Sequence, residues 1–197
     1  MSSSLSYFDM LCLGETMTDL VEGFSRPELH LFGYAACLLS LYEGRPVADW
    51  GYDFVSSENG LPFSQDLDAA INVASSLDYV HGHGPLMLLT LGGRSELEQL
   101  SQLEVYKERR RFLIGAAEAL LVFNPGSIRE AFNYDPAIRY LREGKRTDWV
   151  LTGPVVDRFY NNFEQLRQAL EANTSDLSVP LVSWLKYLLQ MGRVVQQ

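Results

Sequence analysis

Fourteen consecutive residues, Leu29 to Tyr42 (LHLFGYAACLLSLY), would present apolar side chains almost all round a helix. At about 1.5 Å per residue such a helix is roughly 21 Å long, short of the ~30 Å hydrocarbon core of a bilayer. A helix apolar on every side must be walled in by other elements of its own protein. Pro27 suits its first turn and Gly44 the left-handed position just past its end, so both boundaries have a backbone reason. A chain of 197 residues, 47% of them hydrophobic, has enough apolar material to bury such a helix as one domain or as two small ones packed together.

The segment Leu61 to Gly93 sets the class of the first half. Pro62-Phe63-Ser64 begins a helix in which Leu67, Ala70, Ile71, Ala74 and Leu77 fall at helical spacing, with Asp66 and Asp68 in the first turns where the helix dipole favours carboxylates. A hairpin should follow, from Leu77-Asp78-Tyr79-Val80 through a Gly-rich reversal to Leu86–Thr90. Helix, two-stranded hairpin and a return strand ending Leu-Thr-x-x-Gly form a winged-helix pattern. A strand is expected over Trp50–Val55, a turn at Asn59-Gly60, and a short helix near Thr16–Asp19 closed by Gly23.

From Arg94 onward the chain reads as successive helices. Leu97, Leu100 and Leu103 set one face, and Tyr106 to Phe123 carries a second stripe up to Asn124-Pro125-Gly126. Ser127-x-x-Glu130 has the form of a capping box, and Asp135-Pro136 opens a helix that Gly144 should close. Pro154 and Pro180 open two more, with Phe159, Tyr160 and Phe163, then Leu181, Trp184 and Leu188, at core spacing. The expected fold is therefore mainly α. A winged-helix-like half with a small β wing (1–95) should pack on a C-terminal helical region (96–197).

Charge narrows the function. The net charge is −9. Between Glu28 and Gly93 eight acids face Arg45 alone, which leaves 1 − 8 = −7. Phosphate backbones demand the opposite sign, so this winged-helix segment is not expected to read DNA, and a protein-contact role rises. Cys12 and Cys37 sit among apolar neighbours and read as buried thiols of a reducing compartment. With no basic leader and no membrane-length apolar segment, a cytoplasmic protein without membrane attachment is expected.

The chain carries no phosphate-cradling Gly-rich loop with Lys-Ser/Thr, no His-Glu-x-x-His, no Cys-x-x-Cys and no Gly-x-Ser-x-Gly. His81 and His83 sit in the hairpin reversal without the further ligands a zinc site needs, and His30 reads as a satisfied or solvent-facing side chain. No catalytic residue, cofactor or metal is assigned, and the chain by itself is expected to be no enzyme.

Pro27-Glu28-Leu29-His30-Leu31-Phe32-Gly33-Tyr34, the run Leu38–Gly44 followed by Arg45-Pro46-Val47-Ala48-Asp49-Trp50-Gly51-Tyr52-x-Phe54, and the wing ending Leu89-Thr90-x-x-Gly93 carry a family likeness. Over residues 26–95 the chain resembles the small middle component of bacterial ABC three-component systems, the group that includes Lamassu-type phage defence. The same helix, Gly-Arg-Pro and wing also resemble Panacea-type antitoxin domains. The first resemblance implies a non-catalytic accessory subunit that joins an SMC-like ATPase to an effector, often a nuclease, and meets DNA only through that complex. The second implies an antitoxin or adaptor bound to a single client. A winged-helix transcription regulator is the third reading, and it would require basic residues on the Ser64–Leu77 helix or its wing, where none is present.

Partner contacts are expected at an exposed aromatic turn, Trp50 and Tyr52, and on two basic helical faces; for Trp50 a buried place between the first helix and the wing is the alternative. Lys107, Arg110 and Arg111 share one face by spacing, and Arg139 and Arg142 lie on the other. The competing expectation for the first face is simple pairing with Glu104 and Glu108. Aromatic and arginine side chains are the usual anchors of protein interfaces, through buried area and bidentate bonds to carboxylates.

Overall fold

The computed structural model describes residues 3–57, 59–83, 85–143, 149–170 and 176–195. Among these the fold is mainly helical, with nine α-helices and two small two-stranded sheets.

Helix α2 (Arg26–Tyr42) is the central post. Every residue from Leu29 to Tyr42 is buried, as an all-apolar helix requires. Ser25 caps it, with the Glu28 carboxylate returning to the Ser25 N–H and the Ser25 hydroxyl receiving the Glu28 N–H, a reciprocal capping box. Gly44 follows the last turn at φ 82°, as expected. Against α2 lie α1 (Ser4–Val21), α3 (Gln65–Ser76), α5 (Glu104–Leu121) and α8 (Gly153–Ala169). One core joins Phe8 and Leu11 of α1, Phe32 and Leu38 of α2, Leu113 and Leu120 of α5, and Phe159 of α8. Because α5 packs on both α1 and α2, the two halves of the chain share this core. No helix among the described residues is long and apolar enough to cross a membrane.

α1 corrects the short helix expected near Thr16. It runs for 18 residues from its Ser3 cap, and the Thr16 hydroxyl donates to the Cys12 carbonyl inside the helix instead of capping one. Buried over Phe8–Gly14, it shows no polar face to give a helical period. The strand expected over Trp50–Val55 is also corrected. Val47–Trp50 forms a 3-10 turn, and only Val55–Ser56 (β1) is extended, paired antiparallel with Pro62–Phe63 (β2). The turn between them closes through Gly60 N–H to the Ser57 carbonyl. Pro62 thus ends a hairpin, and Ser64 caps α3 instead.

The hairpin after α3 pairs β3 (Val80–His83) with β4 (Leu86–Leu89), three residues later than expected, because Leu77 still caps α3 and Asp78 turns the chain at φ 55°. His81 therefore lies opposite Leu88 within the ladder, and His83 opposite Leu86. Phe24, in the link between α1 and α2, exchanges both backbone hydrogen bonds with Met87 (2.9 and 2.8 Å) and adds a third extended segment to the hairpin. The Leu-Thr-x-x-Gly ending has a mechanical cause. Thr90 caps α4 (Leu91–Leu100) by accepting the Gly93 N–H, and its hydroxyl donates to the Asp78 carbonyl at 2.9 Å. A Cβ on Gly93 would lie 2.6 Å from the Tyr79 carbonyl oxygen, so only glycine fits.

Further corrections follow from capping. Leu103 is half exposed and precedes α5, so it does not share the buried face of Leu97. Asn124 caps α6 (Pro125–Asn133) by accepting the Ser127 N–H at 2.8 Å, which places Ser127 inside the helix and removes the expected Ser127–Glu130 box. Asp135 caps α7 (Pro136–Glu143) as expected, accepting from the Ala137 and Ile138 N–H groups, whereas Gly144 lies outside the described residues. Pro154 sits in the first turn of α8, and α9 (Ser178–Val195) begins two residues before Pro180.

Candidate interaction surfaces

The aromatic turn faces inward. Trp50 is 2% and Tyr52 7% exposed, which corrects the expectation of an exposed partner-binding turn. The cause is a polar centre that the sequence pattern did not reveal. Asp9, fully buried on α1, accepts from Arg109 Nε at 2.5 Å and Arg109 Nη2 at 2.7 Å, and from the Tyr52 hydroxyl at 2.7 Å. The guanidinium lies 3.9 Å from the Trp50 ring centroid. Trp50 and Tyr52 are thus the lid over a bidentate buried ion pair. Burial pushes the Asp9 carboxyl above its ordinary range, while Arg109 and the Tyr52 hydroxyl pull it back. Removing one partner would strand the other charge in the core.

Arg109 adjoins Arg110 and Arg111 in sequence but stands apart from them in the fold. Its position relative to Phe112, Leu113 and Ala116, at i+3, i+4 and i+7, places it on the buried stripe of α5, and that spacing was the available signal. Asp9 offered one too, as a single carboxylate between Tyr7-Phe8 and Met10-Leu11.

The remaining basic residues of α5 are at the surface, each against an acid. Lys107 pairs with Glu104 (2.6 Å), Arg110 with Glu15 of α1 (3.4 Å) and Arg111 with Glu43 (3.4 Å). Glu108 pairs with Arg45 and not with its own helix neighbours. Glu15 also lies 3.9 Å from Arg94, which binds Asp19 at 2.6 Å, so α1, α4 and α5 are laced by alternating charges. The expected basic face is therefore largely compensated by acids from distant parts of the chain. Exposed pairs of this kind contribute at most about 1 kcal/mol each.

Arg139 and Arg142 both lie on α7 but serve different surroundings. Arg142 is exposed and donates to Asn133 at 2.8 Å, and Arg139 borders a depression shared with α8 and α9. Lys145 and Arg146, which follow Arg142 in the same basic stretch of sequence, lie outside the described residues.

His30 is 4% exposed and satisfied at Nδ1, which accepts the Ser64 N–H at 3.3 Å. Burial lowers its pKa to about 4, so it sits neutral beneath Phe63. Cys12 and Cys37 are free, buried thiols; burial pushes the Cys12 thiol up to about 12 and raises that of Cys37 as well. Among the described residues no group of three His, Cys, Asp or Glu side chains could hold a metal. A separate apolar depression of about 250 Å³ lies where Val21, Leu31, Phe32, Leu86, Leu121 and Ile128 meet, between the hairpin and the α5–α6 turn. Val21, Leu86 and the nearby Val122 are exposed there.

Comparison with protein-family models, with curated proteins and with solved structures returns no match to this chain.

Proposed function

We propose that this chain is a non-catalytic accessory subunit of an anti-phage defence assembly of the ABC three-component, Lamassu-like kind, linking an SMC-like ATPase to an effector. One observation carries the protein-binding part of this reading. The order α1–α2–α3–hairpin, with Phe24 bridging Met87 as a third extended segment, supports a winged-helix reading of this half. On that reading α3 would be the nucleic-acid-reading helix; it bears Asp66 and Asp68 and no cation of its own, Arg26 of α2 pairing with Asp68. A helix of that charge repels phosphate and suits a protein surface. The exposed apolar residues at the depression beside the hairpin, Val21 and Leu86, support the same reading.

The assignment to a defence assembly rests on the sequence resemblance over residues 26–95. Its residues now have physical roles: Arg45 reaches Glu108 of α5, Trp50 and Tyr52 cover the Asp9–Arg109 pair, and Gly93 lets α4 start against the hairpin. Buried free cysteines suit a reducing cytoplasm.

Co-expression with the products of adjacent genes, purifying through a tag on this chain, tests the proposal. Stable recovery of a long coiled-coil ATPase supports it. Recovery of one small toxin instead assigns the Panacea-like antitoxin role, and specific duplex binding by the free chain assigns the transcription-regulator role.

A further inference from the structure

On α8, Arg158, Asn162 and Leu166 recur every four residues and share one face; on α9, Trp184, Tyr187, Leu188 and Met191 do the same at spacings of three and one. The two faces border a common trough, and α7 closes one end with Arg139 and Tyr140. A depression of about 350 Å³ lies between Arg139, Tyr140, Arg158, Asn162, Tyr187 and Met191. A second, about 190 Å³, continues from Asn162 and Tyr187 to Gln165, Leu166 and Trp184. Because the two share Asn162 and Tyr187, they form one elongated furrow and not a compact pocket.

The chemistry of the furrow changes along its length. One end holds two guanidinium groups; Arg158 is exposed and makes no ion pair with any described residue, unlike the paired arginines of α4 and α5. The other end is aromatic, with Tyr187 stacked on Trp184 at 5.4 Å and 27°. Tyr187, Tyr140 and Met191 are 45%, 42% and 38% exposed. Trp184, itself 3% exposed, has an indole N–H without an acceptor. Tyrosine, tryptophan, methionine and arginine are the residue types that dominate interface cores.

We propose that this furrow binds a short acidic–apolar segment of a partner protein, with a carboxylate at Arg158 and an apolar side chain over Leu166, Trp184 and Tyr187. Charge complementarity selects the acidic end. The net charge of −9 does not forbid it, since screening over roughly 8 Å at physiological salt leaves the local arginines to decide. Length selects a peptide. Eight residues of helix separate Arg158 from Leu166, about 12 Å, which an extended segment spans in about four residues. This inference deepens the protein-binding reading above and rests on it, naming one partner's chemistry and its seat.

The test is selection from a random displayed-peptide library on the full chain, followed by fluorescence anisotropy with the selected synthetic peptides. The selected peptides should carry Asp or Glu about four positions from Leu, Phe or Trp. Their affinity should fall at least about tenfold in Arg158→Glu and in Tyr187→Ser, with the melting transition intact; Arg158→Glu, at an exposed site, remains informative if Tyr187→Ser unfolds. Failure to enrich any peptide, peptides without carboxylates, affinities within twofold of wild type in Arg158→Glu, or competition by oligothymidylate would each overturn the proposal. Wild-type assembly with the adjacent gene products is read separately, so intact assembly with no acidic peptide selected defeats this inference alone.

Discussion

Arg109 grips both carboxylate oxygens of Asp9 from a hundred residues away in sequence, and the pair ties α5 to α1 beneath Trp50 and Tyr52. Breaking a buried pair leaves an uncompensated charge, at a cost of about 3–5 kcal/mol. Asp9→Ala and Arg109→Ala should each lose about that much in urea unfolding. The double variant should lose far less than the sum, because neither charge is then left alone.

Asp135 sets a pH dependence. Its Oδ1 accepts from the Tyr34 hydroxyl and the Ala137 and Ile138 N–H groups, while Oδ2 is buried without a partner. Burial raises its pKa to about 7. A carboxyl whose folded pKa exceeds its unfolded value of about 3.9 binds its proton more tightly when folded. Its contribution to stability is therefore full below about pH 4, declines as pH rises towards 7, and is constant above. Three units correspond to about 4 kcal/mol at most. Asp135→Asn keeps the accepting oxygen and cannot ionise, so it should flatten this slope and raise the denaturation midpoint at pH 8. A midpoint equal to wild type at both pH 4 and pH 8 would contradict the assignment.

The central helix tolerates little. Leu38 and Leu39 are 1% and 2% exposed, so Leu38→Ala or Leu39→Ala should cost about 2–5 kcal/mol through lost burial and residual cavity. A midpoint shift near zero for both would place α2 outside the core.

Gly192 lets α9 pass against the Tyr134 ring, where an added Cβ would collide with the ring carbons. Gly192→Ala should therefore cost about 1–3 kcal/mol by overpacking. Since Tyr134 also borders the furrow, it should weaken binding of the selected acidic peptides. Calorimetry and anisotropy on the same variant check both.

What the sequence made legible follows from which signals are local. Pro27, Gly44, Asp135 and Pro154 mark helix ends through backbone chemistry that acts within one turn, and each stands where that chemistry places it. The all-apolar α2 declared its burial by itself. α1 did not, because a helix buried on nearly all sides and carrying Asp9 shows neither a clean period nor a polar face. Beside Gly51 and Asp53 nothing local decides between core and surface for Trp50 and Tyr52, and it is Arg109 of α5 and Asp9 of α1 that draw them inward. The compensation of Arg110 and Arg111 by Glu15 and Glu43 is tertiary in the same way. The furrow forms where three consecutive helices, α7, α8 and α9, pack together, so no single helix's period contains it.

The central claim, a subunit that works by protein contact, is tested most directly by the mass of the particle it enters. This chain, co-expressed with its adjacent gene products and purified at physiological salt, should elute in a complex containing a coiled-coil ATPase, with a light-scattering mass well above its own 22.3 kDa. Elution as a free 22.3 kDa species, with the ATPase in separate fractions, would contradict the account.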